Sequence, residues 1–196
     1  MSYANEYQSI YCYDGTDVLI NIFNIRNQST LDNVEADITR KNIAALNMRP
    51  ISGKFNLEHL QSIHKAIFND IYPFAGQIRS EAISKGNTMF ALPQYIHENC
   101  DVIFKRLKKD NLLKVKIDID EFSKKAAFYM AEINIIHPFR EGNGRATREF
   151  IRTLGIKCGY NIDWSRIAKE ELLRASIRSV LNPDLMEALI KKSIVI

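Results

Sequence analysis

The sequence predicts an all-α fold, a helical bundle carrying one small β-hairpin, and three observations support this. Apolar residues recur at spacings of three and four through most of the chain, the period of one helix face. The only sizeable irregular stretch, residues 71–93, holds a Gly-Asn pair between short apolar runs, which is a hairpin signal. There is no internal repeat and no low-complexity tract that would suggest a solenoid or a flexible linker.

Taken in order, residues 1–26 read as an arm packed on the core and residues 27–196 as one globular domain. Within the arm, a turn at Asp14-Gly15 leads into an apolar run whose period is undecided between strand and short helix, and Tyr7, Tyr11 and Tyr13 read as structural. Ser29 or Thr30 is the expected cap of a first helix bearing Leu31, Val34, Ile38 and Ala45, ending near Met48 ahead of Pro50. A second helix follows Asn56, with Leu57, Leu60, Ile63, Ile67 and Phe68 inward and His64 near that face as a carbonyl-bonded histidine. The hairpin comes next, and then a clean amphipathic helix over residues 94–109 with Ile96, Cys100, Ile103, Phe104 and Leu107 as its stripe.

Phe122, Ala126, Tyr129, Met130, Ile133 and Ile136 then mark a long helix that Pro138 must stop, leaving His137 at its exit. Thr147, Phe150, Ile151, Leu154 and Cys158 mark another, closed by Gly159. Trp164 reads as a core aromatic, and Leu173, Ile177 and Val180 as the stripe of a further helix. Asn182-Pro183 starts the last helix, which bears Leu185, Met186, Leu189 and Ile190.

Composition narrows the function classes. A chain of 196 residues is long enough for one domain that buries about 70% of its unfolded surface. Hydrophobic content of 46% and charged content of 26% are those of an ordinary globular protein. The net charge of +4 is modest and interspersed, so no nucleic-acid partner is expected. No apolar run approaches the roughly 18 residues of a membrane span, so no membrane partner is expected either. Residues 1–5 lack the basic and apolar regions of a secretory signal. Cys12, Cys100 and Cys158 are odd in number, lie in no metal-ligand spacing and read as reduced thiols. The expected location is cytoplasmic, with export by a signal-less secretion system left open.

Between the two longest stripes lies His137-Pro138-Phe139-Arg140-Glu141-Gly142-Asn143-Gly144-Arg145-Ala146-Thr147-Arg148. A glycine turn feeding a helix start offers unpaired N–H groups and partial positive charge, a natural anion cradle. Arg145 and Arg148 stand three apart on one face and repel unless an anion lies between them, which a polyphosphate satisfies. Glu141 is the carboxylate placed to hold Mg²⁺ against such phosphates, and His137 stands at the rim as a base. These parts match phosphoryl or nucleotidyl transfer to a hydroxyl. Position 147 is Thr and no strand precedes the turn, which excludes a dinucleotide fingerprint. No P-loop occurs in the chain, and Pro138 prevents the single helix a zincin pair needs.

The stretch resembles the signature of the Fic (filamentation induced by cAMP) family, HPF-x-[DE]-GNGR-xx-R, with every fixed position present and Glu141 as the acidic one. The resemblance implies the Fic fold and transfer of AMP from ATP to a Ser, Thr or Tyr hydroxyl of a target protein, with release of pyrophosphate. It implies His137 as general base and Gly142, Asn143 and Gly144 as the cradle of the α- and β-phosphates. Glu141 would bind Mg²⁺, Arg145 the β-phosphate and Arg148 the γ-phosphate, while Phe139 anchors the loop and variable Arg140 is solvated. Lys85, Gly86, Asn87, Thr88, Met89 and Phe90 resemble the family's flap, whose strand edge can hold an extended target segment. Doc-type kinases replace the second glycine region with Lys, so Gly144-Arg145 favours AMP over phosphate transfer. A Fic-fold binding module without turnover is the alternative, and the intact His137, Glu141 and arginines argue against it.

Many Fic proteins meet an inhibitory helix with [ST]-x-x-x-E-[GN]. Glu98-Asn99 and Glu141-Gly142 have Gln94 and His137 four residues earlier, and Glu35 has Leu31 there and Ala36 after it. Glu35 is therefore expected to be a solvated helix-face carboxylate. Control is expected from a separate antitoxin-like protein, or to be absent.

Overall fold

The computed structural model describes residues 8–86, 88–110 and 117–195. Its centre is α4 (Ile119–Ile136), which begins where the Asp118 carboxylate accepts the N–H groups of Asp120 and Glu121. The predicted stripe of Phe122, Ala126, Tyr129, Met130, Ile133 and Ile136 is buried along its whole length. Each large apolar side chain removed from water there contributes about 1.5–3 kcal/mol before conformational entropy is charged against it. Around α4 pack α3 (Ile96–Lys109), α5 (Asn143–Cys158) and α7 (Asp184–Ser193). Helix α2 (Leu57–Phe68) packs on both α5 and α1 (Gln28–Met48).

The hairpin is β1 (Ser84–Lys85) paired antiparallel with β2 (Thr88–Met89), Lys85 opposite Thr88 and Gly86 at φ 57° in the turn. A second two-stranded ribbon, which the sequence did not announce, joins β3 (Asn161–Ile162) to β4 (Ile194–Val195). The hairpin is legible from its Gly-Asn pair, whereas the two-residue strands of the second ribbon carry too little alternation to be read.

The undecided arm is a tight loop: Tyr13 N–H donates to Val18 O, Ile20 N–H donates to Tyr11 O, and Cys12, Tyr13, Val18 and Leu19 enter the core. Tyr7 lies outside the described residues. The cap of α1 is Asn27 rather than Ser29 or Thr30: its side chain accepts the Thr30 N–H and both neighbouring hydroxyls. The second helix follows Asn56 as expected, and Asn56 caps it, accepting from His59 N–H. Helix α6 (Lys169–Arg178) buries Leu172 and Ala175, whereas Leu173 and Ile177 are 50% and 64% exposed. Trp164 is only partly buried and donates its indole N–H to Arg148 O.

Candidate active site

The twelve-residue stretch forms the passage from the end of α4 to the start of α5. His137 closes α4 in the left-handed region, φ 51° and ψ 62°, a conformation a histidine rarely adopts. Its Nδ1 lies 3.1 Å from Asn134 O. A carbonyl only accepts, so Nδ1 carries the proton and Nε2 keeps its lone pair. Burial pushes the imidazole pKa down to about 4, the charges of Arg79 and Lys85 acting in the same direction and the Asn134 carbonyl against them. The ring is therefore a neutral base at pH 7.

Phe139 is 1% exposed and stacks on His64, ring centroids 3.9 Å apart. His64 fastens the loop to the scaffold: its Nε2–H donates to Glu141 O at 2.9 Å and its Nδ1 accepts Gly76 N–H at 2.8 Å. The bond from Gly76 needs the neutral ring, and burial holds its pKa down to about 4 against the Glu141 carbonyl. Asn143 staples the loop from within, its Oδ1 accepting Phe139 N–H at 2.8 Å and its Nδ2 donating to Phe139 O at 2.7 Å. With both ends of its amide tied to Phe139, Asn143 still has its main-chain N–H to offer an anion. Among the described residues, the N–H groups of Asn143 and Gly144 have no main-chain acceptor. Gly142, at φ 77°, lies so close to Phe68 that a Cβ there would stand 2.1 Å from the ring.

Arg148 is partly buried, and its guanidinium has no hydrogen bond or ion pair among the described residues. It folds back on the loop, Nη1 lying 3.3 Å from where a Cβ at Gly144 would be. Burial, and then the neighbouring Arg145, pull its pKa down to about 10. An anion placed here would relieve both effects.

Arg145 is differently placed. Its Nη2 lies 2.6 Å from Glu35 Oε1 and 3.5 Å from Glu141 Oε1, its Nη1 reaches Thr39 Oγ1 at 3.3 Å, and it lies over the Phe68 ring. Tyr72 donates its hydroxyl to Glu35 Oε2. Glu35 is thus no solvated carboxylate but is 16% exposed in its side chain and bonded twice. The expectation failed because both partners come from distant parts of the chain. Arg140 is likewise not fully solvated: it is partly buried, with Nη2 beside Cys12 Sγ at 3.8 Å.

Glu141 Oε1 accepts Gly142 N–H at 2.8 Å while its other oxygen is unengaged, the side chain being 43% exposed at the loop's mouth. One free carboxylate oxygen at the start of this turn fits Mg²⁺, which keeps waters and takes few protein ligands. No group of three or more metal-binding side chains occurs among the described residues.

The hairpin stands over this passage. Phe90 stacks on the His137 imidazole, centroids 3.8 Å apart and planes 15° from parallel. Lys85 and Gly86 are exposed at its tip, Met89 is 74% exposed, and Thr88 is half-buried. Asn87 lies outside the described residues. Sequence reading missed Arg79, wholly buried behind the hairpin with no motif around it.

Known proteins resemble this chain in sequence and in fold. The chain is 42% identical over 180 residues to the protein adenylyltransferase VbhT of Bartonella schoenbuchensis, covering 91% of this chain but 37% of that protein. It therefore spans little more than a third of that relative's length. It is 35% identical over 160 residues to the "Probable protein adenylyltransferase Fic" of Escherichia coli, covering 82% of this chain and 78% of that one. The crystal structure of BepC from Bartonella tribocorum with bound AMPPNP superposes with a TM-score of 0.88 at 26% identity, over 94% of this chain and 96% of that one. Residues 54–154 match the Fic/DOC family, and with these relatives the chain belongs to that family.

Proposed function

We propose that the protein is an adenylyltransferase that moves AMP from ATP onto a Ser, Thr or Tyr hydroxyl of a target protein, itself included, and releases pyrophosphate. The observation that carries this reading is the pairing, on one loop, of a neutral imidazole whose Nε2 is free to accept a proton with an unpaired cation and two free N–H groups. The relatives named as adenylyltransferases and the AMPPNP-bound neighbour support it.

The N–H groups of Asn143 and Gly144 at the start of α5 hold the α- and β-phosphates, where the helix dipole favours negative charge. Arg148 takes the γ-phosphate, and Arg145 presents the β-phosphate with the donor edge that Glu35 and Thr39 leave free. His137 Nε2 takes the hydroxyl proton as the oxygen forms its bond to the α-phosphorus, and the bond to the β-phosphate oxygen breaks. Glu141 would hold Mg²⁺, whose charge would offset that gathering on the departing pyrophosphate. The hairpin edge, from Lys85 to Phe90, registers the target segment by main-chain hydrogen bonds.

Arg148 also gives a point of control, because a carboxylate presented by a separate antitoxin-like protein would meet it and exclude the γ-phosphate.

Incubation with α-labelled ATP should transfer label to protein and γ-labelled ATP should not. His137→Ala should lower transfer by about a hundredfold or more. Exclusive γ-label incorporation would instead establish phosphate transfer, and wild-type transfer by His137→Ala would remove the base.

A further inference from the structure

Behind the hairpin lies a charge the reaction scheme does not use. Arg79 is 2% exposed and forms no ion pair among the described residues. Its fork is spent on four carbonyls instead. Nε donates to His137 O at 2.8 Å and Nη2 to Ile136 O at 3.3 Å, both at the end of α4. Nη1 donates to Glu81 O at 2.6 Å, and Nη2 also donates to Ala91 O. Glu81 and Ala91 are the two feet of the hairpin, three residues before β1 and two after β2. The Arg79 main-chain N–H donates to Pro138 O at 3.0 Å, and Ala91 N–H to Ile135 O at 3.3 Å.

Burying a guanidinium without a carboxylate is costly, and a flap needing only apolar packing would not require it. Here the end of α4 supplies partial negative charge from its last carbonyls, so the cation is stabilised where it lies. The planar fork serves four carbonyls in fixed directions, more than the three N–H groups of a lysine ammonium can. Arg79 therefore bonds in one step the carbonyl of His137, held at φ 51°, and both ends of the segment whose Phe90 stacks on that imidazole.

We infer that Arg79 is a positioning residue: it sets the flap at a fixed height over His137, so that a hydroxyl delivered by the flap arrives at Nε2. The inference rests on the adenylyl-transfer reading for its activity arm. Nucleotide binding is a separate matter, because Arg145, Arg148 and the glycine turn do not touch Arg79.

The test is Arg79→Lys, with Phe90→Ala as a second variant that keeps the buried cluster intact should the first fail to fold. Affinity for the non-hydrolysable analogue AMPPNP should stay within about twofold of wild type, while AMP transfer from α-labelled ATP to protein falls by about tenfold or more in either variant. The double variant should be scarcely worse than the single ones, since both act through the seat of the flap. Amide exchange supplies an arm without turnover: in Arg79→Lys the Ala91 N–H should exchange faster, with α2 and α7 unchanged. If wild-type protein transfers no AMP, the functional reading fails and the exchange arm still decides on Arg79. Unchanged transfer and exchange would overturn the inference. So would AMPPNP affinity falling in step with transfer, or α2 and α7 loosening with the flap, since either marks a general structural role.

Discussion

Asn134 O decides which nitrogen of His137 does chemistry, and burial decides over what pH range. With the pKa near 4, the ring is neutral throughout the range in which an ordinary histidine titrates. The rate of AMP transfer at low ATP should therefore be flat from about pH 8 to about pH 6 and fall only well below the usual 6.5. An acid limb centred on 6.5 would show that the ring is solvated in the working enzyme. Glu35 makes a second prediction at this scale. Because it orients Arg145 and does not touch Arg148, Glu35→Gln should weaken ATP binding by about fivefold, near 1 kcal/mol for a lost charge-assisted bond. Self-labelling should not rise. A many-fold increase would mean that Glu35 restrains the enzyme.

At the scale of elements, the turn between α4 and α5 is fixed by what packs beneath it. Gly142 has positive φ and the Phe68 ring under it, so Gly142→Ala adds both backbone strain and a clash. The expected cost is about 2–5 kcal/mol of stability, together with loss of ATP binding, readable by denaturant unfolding and nucleotide titration. Gly144→Ala meets only the movable end of Arg148, so it should fold normally and lose affinity for ATP alone. His64 joins α2 to the same turn through a ring that must stay uncharged. The unfolded chain takes up this proton near pH 6.5 and the folded chain only near 4, so the stabilisation is complete above 6.5 and lost as pH falls towards 4. On the order of 2 kcal/mol should go between pH 7.5 and 5, with a further loss of the same sign from His137. A stability that stays level over that interval would contradict the buried neutral ring.

For the molecule as a whole, legibility followed sequence separation and packing. Helices α2, α4 and α5 could be read because each buries one continuous face, from Leu57 to Phe68, Phe122 to Ile136 and Thr147 to Cys158. Helix α6 misled because Leu173 and Ile177 keep helical spacing while Leu172 and Ala175 meet the core. Periodicity reports a face, not which neighbour covers it. The cap of α1 was misplaced by two or three residues because Asn27, Ser29 and Thr30 are all competent caps. The motif residues could be placed together since they lie on one turn. The residues that hold the turn could not. Arg79 meets His137 across 58 positions, His64 meets Glu141 across 77 and Glu35 meets Arg145 across 110, and nothing local encodes such pairs. The roof that Phe90 forms over the imidazole has a directional consequence. One π-face of the base is closed, whereas the lone pair of Nε2 lies in the ring plane. On the adenylyl-transfer reading, an incoming alcohol must therefore slide in edgewise, and acceptors are selected by their angle of approach as well as by their nucleophilicity.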